Sequence, residues 1–138
     1  MNTIPIFYAC DDNFVKYMIV SLRSMIDNAS KNRKYRVHIL HTSISEEMQK
    51  ETLKLCNESF DICFDNVEGY LENIKERLPI RDYYTKTSYF RLFIADMFPL
   101  YEKAIYIDSD TVIRGDISEL YDTDIGDCLV GACHEQAM

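Results

Sequence analysis

The sequence predicts an α/β domain with a mostly parallel sheet and flanking helices, because apolar runs of strand length alternate with segments of helical periodicity. The first run, Ile4–Ala9, is followed by apolar residues at helical spacing from 14 to 28. Further strands are predicted at 35–41, 60–65 and 104–107. Ligands of such sheets bind at the carboxyl ends of the strands, so the polar residues that follow these runs are the first functional candidates.

The segments between the strands carry the helix signals. Ser43 and Glu46 have the spacing of a capping box and predict a helix that continues to about residue 57. A weaker pattern after Val67 predicts a helix that ends at Pro79, and residues 87–98 predict a longer one before Pro99. A turn with a short helix is expected at 115–121, and one more strand at 128–132.

Composition and charge limit the class of protein. The 138 residues are 47% hydrophobic and 28% charged, which predicts a single domain over 1–138 with its own core. The net charge of −8 argues against nucleic acid or an anionic membrane as a partner. No run predicts a transmembrane segment, and five irregularly spaced cysteines do not form a disulfide pattern. A reduced, cytoplasmic protein is expected.

The pair Asp108 and Asp110 ends the apolar run at 104–107. Alternate residues of an extended chain point the same way, so both carboxylates can serve one task. Two close like charges are costly unless they share a cation or a proton, and oxygen ligands suit Mg²⁺ or Mn²⁺. The alternative is a surface turn rich in Asp.

Two other polar positions have open interpretations. The cluster Asp11-Asp12-Asn13 follows the first strand, where it suits either a ligand site or the capping of the next helix. Arg91 lies among apolar residues of the predicted 87–98 helix, so it should point outward, either to an anion or to a surface ion pair. The sequence contains no Gly-x-Gly-x-x-Gly or Walker motif, which argues against dinucleotide dehydrogenases and P-loop enzymes.

Three stretches together resemble glycosyltransferase family 8. They are Ile-Phe-Tyr-Ala-Cys-Asp-Asp-Asn-Phe at 6–14, Thr-Ser-Tyr-Phe-Arg-Leu at 87–92 and Ala-Ile-Tyr-Ile-Asp-Ser-Asp at 104–110. Residues 120–127 and Gly131-Ala132 continue the pattern, so the resemblance covers nearly the whole chain. This family includes bacterial lipopolysaccharide galactosyl- and glucosyltransferases and is related to glycogenin.

The resemblance implies a Rossmann-like GT-A fold and a retaining hexosyltransferase of lipopolysaccharide biosynthesis. Its donor would be UDP-glucose or UDP-galactose, its acceptor a saccharide or lipid-linked saccharide, and its cofactor Mn²⁺ (or Mg²⁺) bound by the Asp-x-Asp motif. The implied donor site comprises Ala9, Asp11 and Asn13 at the uridine, Phe14 as a stacking aromatic, Arg91, Ser109, and Asp108 and Asp110 as metal ligands. Glu135 stands where the family usually has an Asp on the donor sugar, and the catalytic residues stay unassigned.

One part of the family pattern is missing. The family's third metal ligand is a His in a downstream His-x-x-Gly-x-x-Lys-Pro-Trp-like segment, whereas this chain stops at Met138 and contains no Trp. A C-terminally incomplete GT-A domain is therefore expected, with weak binding of UDP and Mn²⁺, poor turnover by the isolated chain, and self-association through exposed apolar surface.

Two alternative functions stay open at the level of sequence. The first is an inert or interaction-only fragment with a vestigial nucleotide site. The second is a phosphatase of the haloacid-dehalogenase type, in which Asp108 is the nucleophile and Asp110 the acid/base. The second is disfavoured because that superfamily needs a Lys and further acidic residues well downstream of the motif.

Overall fold

Four parallel strands form one sheet in the computed structural model of the chain, which describes residues 2–77 and 86–134. The strands are β1 (Ile4–Ala9), β2 (Tyr35–His41), β3 (Phe60–Asn66) and β4 (Ile105–Tyr106). Their spatial order is β3-β2-β1-β4, and each neighbouring pair is parallel. The prediction of an α/β domain with a parallel sheet is confirmed.

Six helices accompany the sheet in the described part of the chain. They are α1 (Val15–Asn28), α2 (Glu46–Leu53), α3 (Glu68–Ile74), α4 (Lys86–Phe90), α5 (Ile94–Met97) and α6 (Ile117–Asp122). Short 3-10 segments occupy Lys75–Arg77 and Arg91–Phe93. None of the helices at 2–77 and 86–134 combines the length and apolar character needed to cross a membrane.

Strand β1 lies between β2 and β4 and is buried along its whole length. Its alternate side chains supply two apolar clusters, one on each face of the sheet. Ile6 and Tyr8 pack on the α1 side, where Met18 and Leu22 cover them, whereas Phe7 faces the opposite cluster. Burial on both faces explains why the sequence of β1 is continuously apolar rather than alternating.

Strand β4 is shorter than the strand predicted at 104–107. Only Ile105 and Tyr106 pair with β1, and the N–H of Ile107 adds one hydrogen bond of 2.9 Å to the carbonyl of Phe7. Ala104 is exposed and lies before the paired residues. Even this short ladder is enough to bring residues 108–110 to the end of β1.

Helix α2 begins and ends at different residues than predicted. Its N-cap is Ser45, whose Oγ accepts a hydrogen bond from the N–H of Met48, so the predicted capping box with Ser43 is wrong. The helix ends at Leu53 rather than near residue 57. Asn57 instead accepts hydrogen bonds from the N–H groups of Ser59 and Phe60, which forms the turn into β3.

Two further predictions of secondary structure need correction. The single helix predicted at 87–98 is interrupted by the 3-10 segment Arg91–Phe93. The strand predicted at 128–132 is irregular, and Leu129 and Val130 are exposed, because no strand of the described sheet lies beside them to complete a ladder. The short helix predicted at 115–121 is confirmed as α6, while Pro79 and the loop at 81–85 lie outside the described residues.

Candidate functional site

An open cavity of about 220 Å³ lies at the carboxyl ends of β1 and β4. In the order β3-β2-β1-β4, the chain leaves β1 toward β2 on one side and returns at β4 on the other, so this is a topological switch point. The cavity is lined by the two strand ends, the turn before α1, α4 and the first residue of the 3-10 segment after it: Ala9, Cys10, Phe14, Thr87, Ser88, Arg91, Tyr106, Asp108, Ser109 and Asp110.

The segment 108–110 presents two carboxylates to this cavity. Asp108 and Asp110 are exposed, whereas Ser109 between them is buried and donates a hydrogen bond from Oγ to the carbonyl of Ala9 at 3.1 Å. The hydroxyl of Thr111 donates to the carbonyl of Asp108 at 2.8 Å. The backbone of the motif is therefore held against β1 while both carboxylates remain accessible.

A row of polar side chains on α1 fixes the chain that follows the motif. This α1 polar row consists of Ser21, Ser24 and Asn28. The hydroxyls of Ser21 and Thr111 are hydrogen-bonded at 2.9 Å, and the Oγ of Ser24 accepts from the N–H of Ile113 at 2.8 Å. Asn28 donates to the carbonyl of Ile113 at 3.0 Å. Three polar groups thus fasten residues 111–113 to a helix whose neighbouring face is apolar core.

Arg91 lies beside the two carboxylates. One guanidinium nitrogen is 3.9 Å from a carboxylate oxygen of Asp108, and Nε donates to the carbonyl of Ser88 at 3.0 Å. The guanidinium carbon is 5.5 Å from the ring centre of Tyr106, within the range of a cation–π contact. This arrangement places a positive charge at the cavity without neutralising the carboxylates by a close ion pair.

Two weak acids at the cavity stay protonated at neutral pH. Burial, with the charge of Asp108 as the next cause, raises the pKa of Tyr106 to about 12. Burial, followed by the charge of Asp11, raises the pKa of Cys10 to about 12. Neither group is poised to act as a general base, so both offer hydrogen-bond donors instead.

Phe14 is the more exposed of the two aromatic side chains, Phe14 and Tyr106, that line the cavity. It is 49% exposed, and its ring centre lies 6.0 Å from that of Tyr17 in a tilted arrangement. An exposed aromatic face beside a polar cavity suits a planar ring such as a nucleobase.

The structure gives Asp11 and Asn13 a different placement from the other predicted donor residues. Neither lines the cavity; a carboxylate oxygen of Asp11 accepts from the N–H groups of Asn13 and Phe14 at 2.9 and 3.1 Å. The carboxylate of Asp11 thus stabilises the turn that precedes α1, whose N-cap is Phe14, and the contact of both residues with uridine stays a prediction. Glu135 lies outside the described residues.

Four lining residues were not singled out from the sequence: Cys10, Thr87, Ser88 and Tyr106. Strand alternation carried a signal for Tyr106, since its neighbours Ile105 and Ile107 face the buried core on the other side. Thr87 and Ser88 belong to the 87–92 stretch that carries the family resemblance, but the resemblance implies no specific role for either residue.

The donor set at the cavity fits a divalent ion. The carboxylates of Asp108 and Asp110 are exposed oxygen ligands on one segment, whereas the described lining contains no imidazole and its one thiol, that of Cys10, is buried. Oxygen-only ligands suit Mg²⁺ and Mn²⁺ and leave coordination positions for water or for phosphate oxygens.

Comparison with known proteins identifies this arrangement. The model of the family named Glycosyl transferase family 8 matches residues 5–138. A Haemophilus influenzae protein named as a glycosyltransferase is 29% identical over 140 residues. The match covers 97% of this chain and 40% of that protein. General stress protein A of Bacillus subtilis is 26% identical over 91% of this chain and 44% of its own length. The chain thus spans less than half the length of these curated relatives.

Solved glycosyltransferases share the fold. The bifunctional glycosyltransferase WbbM matches with a TM-score of 0.77 and 26% identity over 90% of this chain and 21% of its own. An active-site mutant of LgtC matches with a TM-score of 0.74 and 26% identity over 96% of this chain and 46% of its own. These neighbours have the GT-A fold, so that prediction is confirmed. On the family match over nearly its whole length, the chain belongs to glycosyltransferase family 8.

Proposed function

We propose that residues 1–138 form a single nucleotide-sugar-binding domain of an enzyme that transfers a hexose from a UDP-sugar to a saccharide or lipid-linked saccharide. The observation that carries the proposal is the cavity at the ends of β1 and β4, where Phe14, Arg91, Asp108 and Asp110 meet. A base, a diphosphate and a divalent ion each find suitable side chains around this one cavity.

The nucleoside end of the donor is assigned to the β1 side of the cavity. Phe14 offers its exposed ring to the uracil, and Ala9 leaves room for the ribose because its side chain is small. Support comes from LgtC, a galactosyltransferase solved with donor and acceptor sugar analogues, which matches with a TM-score of 0.68 and 26% identity over 90% of this chain and 44% of its own.

The diphosphate is assigned to the β4 side. Asp108 and Asp110 would hold Mn²⁺ (or Mg²⁺), which when bound supplies positive charge to the diphosphate of the departing UDP. Arg91 lies close enough to Asp108 to bind a phosphate oxygen with its guanidinium. Ser109 holds the motif in place through Ala9, and Tyr106 offers a hydroxyl to the donor.

Specificity and reaction course belong to the same proposal. The donor is proposed as UDP-glucose or UDP-galactose, the transfer as retaining, and the process as lipopolysaccharide biosynthesis. The structural similarity to LgtC and WbbM, which are glycosyltransferases, supports glycosyl transfer. Membership of glycosyltransferase family 8 favours a transferase over the phosphatase alternative. The cytoplasmic localisation stays a prediction.

Binding of UDP in the presence of Mn²⁺ tests the proposal. Calorimetry of the 138-residue chain should detect UDP binding that requires Mn²⁺, and at about 100 times its Kd the ligand should raise the free energy of unfolding by about 2.7 kcal/mol. Asp108→Asn and Asp110→Asn should each remove the Mn²⁺ dependence. The matched control is Asp27→Asn, an exposed carboxylate paired with Arg23 on α1.

A second measurement addresses turnover. The purified chain with UDP-glucose or UDP-galactose is expected to release UDP far more slowly than a typical enzyme turns over its substrate. A typical enzyme has a kcat of about 10 s⁻¹. If neither UDP nor Mn²⁺ changes the melting temperature at millimolar concentration, the inert or interaction-only alternative replaces this proposal.

Self-association is also proposed for the isolated chain. Leu100, Leu129 and Val130 are 94, 99 and 79% exposed, which is unusual for large apolar side chains. Sedimentation velocity over a range of concentrations should show a rising mean mass, and a concentration-independent monomer would contradict it.

A further inference from the structure

A second cluster of metal-ligating side chains lies on β2 and β3, apart from the cavity. His38, Cys63 and Asp65 each offer one ligand atom, and these three atoms all lie within 4.8 Å of one another. The parallel register places His38 directly opposite Cys63, and Asp65 is two residues further along β3 on the same face. The cluster is therefore built into the pairing of two strands rather than assembled from mobile surface groups.

The distances within the cluster are close to those of a tetrahedral zinc site. The Sγ of Cys63 is 3.3 Å from Nδ1 of His38 and 3.7 Å from Oδ2 of Asp65. With zinc–ligand bonds of about 2.0–2.3 Å, ligand atoms at tetrahedral angles lie roughly 3.4–3.6 Å apart. The third distance, 2.8 Å between Nδ1 of His38 and Oδ2 of Asp65, is that of a hydrogen bond. A bound ion would replace this hydrogen bond and would require the two atoms to move apart by about 0.6 Å.

The imidazole of His38 is oriented by its surroundings. Its Nε2 is hydrogen-bonded to the hydroxyl of Tyr101 at 2.8 Å, on the side away from the cluster. The ring stacks on Phe7 with centres 4.7 Å apart and an angle of 11°. A ligand histidine commonly has a second hydrogen bond of this kind, which fixes the ring and leaves the other nitrogen for the metal.

We propose that His38, Cys63 and Asp65 bind a zinc ion, with water in the fourth position. A thiolate, an imidazole and a carboxylate suit Zn²⁺ better than the harder Mg²⁺ or Mn²⁺ expected at Asp108 and Asp110. Access is available, because Cys63 is half-buried and the side chain of Asp65 is 32% exposed.

The geometry does not suit a nucleophilic cysteine. In a Cys-His-Asp triad the thiol and the carboxylate contact different nitrogens of the imidazole. Here Cys63 and Asp65 both contact Nδ1 of His38, while Tyr101 occupies Nε2. Three potential ligands thus converge on one point, as a coordinated ion requires.

Cobalt substitution tests the proposal in the whole chain. The parent carries Cys→Ser changes at the three exposed cysteines, 56, 128 and 133, which removes adventitious surface thiols. Titration with Co²⁺ should give a near-ultraviolet sulfur-to-cobalt charge-transfer band that saturates at one ion per chain and disappears when Zn²⁺ is added. Because Cys10 lines the cavity that contains Asp108 and Asp110, the Cys63→Ser variant is needed to assign the band to Cys63 rather than to Cys10.

Variants then assign the ligands. Cys63→Ser should abolish the band, and Asp65→Asn should weaken Co²⁺ affinity at least tenfold. Asp61→Asn is the matched control, since Asp61 lies on the same face of β3 but pairs with Arg36 at 2.8 Å, and this variant should bind as the parent does. Tyr101→Phe should weaken affinity about tenfold by freeing the imidazole.

Two results would overturn the proposal. They are a parent chain without the thiolate band, or a Cys63→Ser variant that keeps the band and the affinity. Circular dichroism establishes that each variant is folded. Should Cys63→Ser fail to fold, the parent spectrum and the Co²⁺ affinities of Asp65→Asn and of its control Asp61→Asn still decide the result, because the side chain of Asp65 is 32% exposed.

Discussion

The position of Arg91 is compatible with both of its predicted roles, because it lies near the carboxylate of Asp108 and also lines the cavity. The sequence left open an anion contact or a surface ion pair. In the structure the side chain of Arg91 is exposed, with a guanidinium nitrogen 3.9 Å from a carboxylate oxygen of Asp108 and the guanidinium over the ring of Tyr106. The carboxylate beside it, that of Asp108, is a proposed metal ligand. An exposed pair at this distance contributes little to stability, and its position at the cavity is more informative.

Replacing Arg91 by alanine should therefore affect binding rather than folding. Arg91→Ala is expected to weaken Mn²⁺-dependent UDP binding about tenfold or more, because a charge-assisted hydrogen bond contributes about 1.5–3 kcal/mol. Arg91→Lys should recover only part of this loss, since lysine lacks the bidentate guanidinium. Calorimetry measures the affinity.

The control for Arg91 is another exposed arginine in an ion pair with an aspartate. Arg23→Ala removes the pair with Asp27 on α1 and should leave UDP affinity unchanged. A loss of unfolding free energy in Arg91→Ala that matched its loss of affinity would show that the residue is structural and contradict the assignment.

At the scale of elements, α1 supports the site from a distance. Ser24 is the central member of the α1 polar row; it donates to the carbonyl of Ser21 and accepts from the N–H of Ile113. The apolar positions of this helix were predictable from their spacing, but the partners of its serines were not, because they lie about 90 residues away in sequence.

Removal of the Ser24 hydroxyl should loosen the segment after the motif. Ser24→Ala is expected to cost about 1–2 kcal/mol of unfolding free energy, because the N–H of Ile113 loses its partner. Mn²⁺-dependent UDP binding should weaken as well. Val20→Ala on the exposed side of α1 is the control, with a change within about 0.5 kcal/mol in urea unfolding. Equal effects of the two variants would contradict this role.

Asp116 at the start of α6 predicts a dependence of stability on pH. Burial raises its pKa, but hydrogen bonds from the N–H groups of Ser118 and Ser30 outweigh burial and leave the pKa below its ordinary value. A carboxyl group with a lowered pKa in the folded state stabilises the fold above its unfolded pKa, about 3.9, and this contribution is lost as pH falls through the folded value.

The expected result is a pH-dependent gap between Asp116→Asn and the parent chain. The variant should be less stable at about pH 6, and the gap should narrow as pH falls through the acidic range below about 4. Urea unfolding at several pH values measures it. Asp127→Asn, an exposed carboxylate after α6, should show no such change, and a constant gap for Asp116→Asn would contradict the linkage.

The sequence predicted elements well where one local pattern decided them. The run that became β1 is apolar over its whole length, whereas β2 also contains Arg36, His38 and His41; the structure confirms the predicted bounds of both strands. Predictions failed where the deciding interaction was distant. Leu129 and Val130 have the composition of a strand, but a strand also needs a neighbour with which to pair. Ser45 rather than Ser43 caps α2, and the N–H of Ser45 is bound by Asp12 after β1.

In the molecule as a whole, the residues that pack the core of the sheet differ from the residues that line the cavity. Phe7 is fully buried in β1, whereas Phe14 directly precedes α1 and is 49% exposed at the cavity. The candidate site was predictable in part, because the parallel sheet requires polar strand ends to meet at one edge. Asp11 satisfies that rule by position, yet its carboxylate is used by backbone N–H groups instead.

The two phenylalanines should therefore give opposite results. Phe7→Ala is expected to lower the unfolding free energy by about 3–5 kcal/mol, as for other buried aromatics. Phe14→Ala should change it by less than about 0.5 kcal/mol but cost about 1–3 kcal/mol of UDP binding through the lost stacking. Chemical denaturation and calorimetry on the same preparations compare them, and an unchanged UDP affinity in Phe14→Ala would contradict the base-stacking role.

The bond between Ser109 and the carbonyl of Ala9 joins residues 100 positions apart. The two halves of the cavity therefore leave the ribosome at different times; at roughly 5–20 residues per second the second half follows the first by about 5–20 s. Closing so long a loop is entropically costly, and nothing is gained until β4 docks beside β1. The proposed nucleotide binding is consequently available only to chains in which β4 has docked beside β1, which makes nucleotide capture a measure of finished folding.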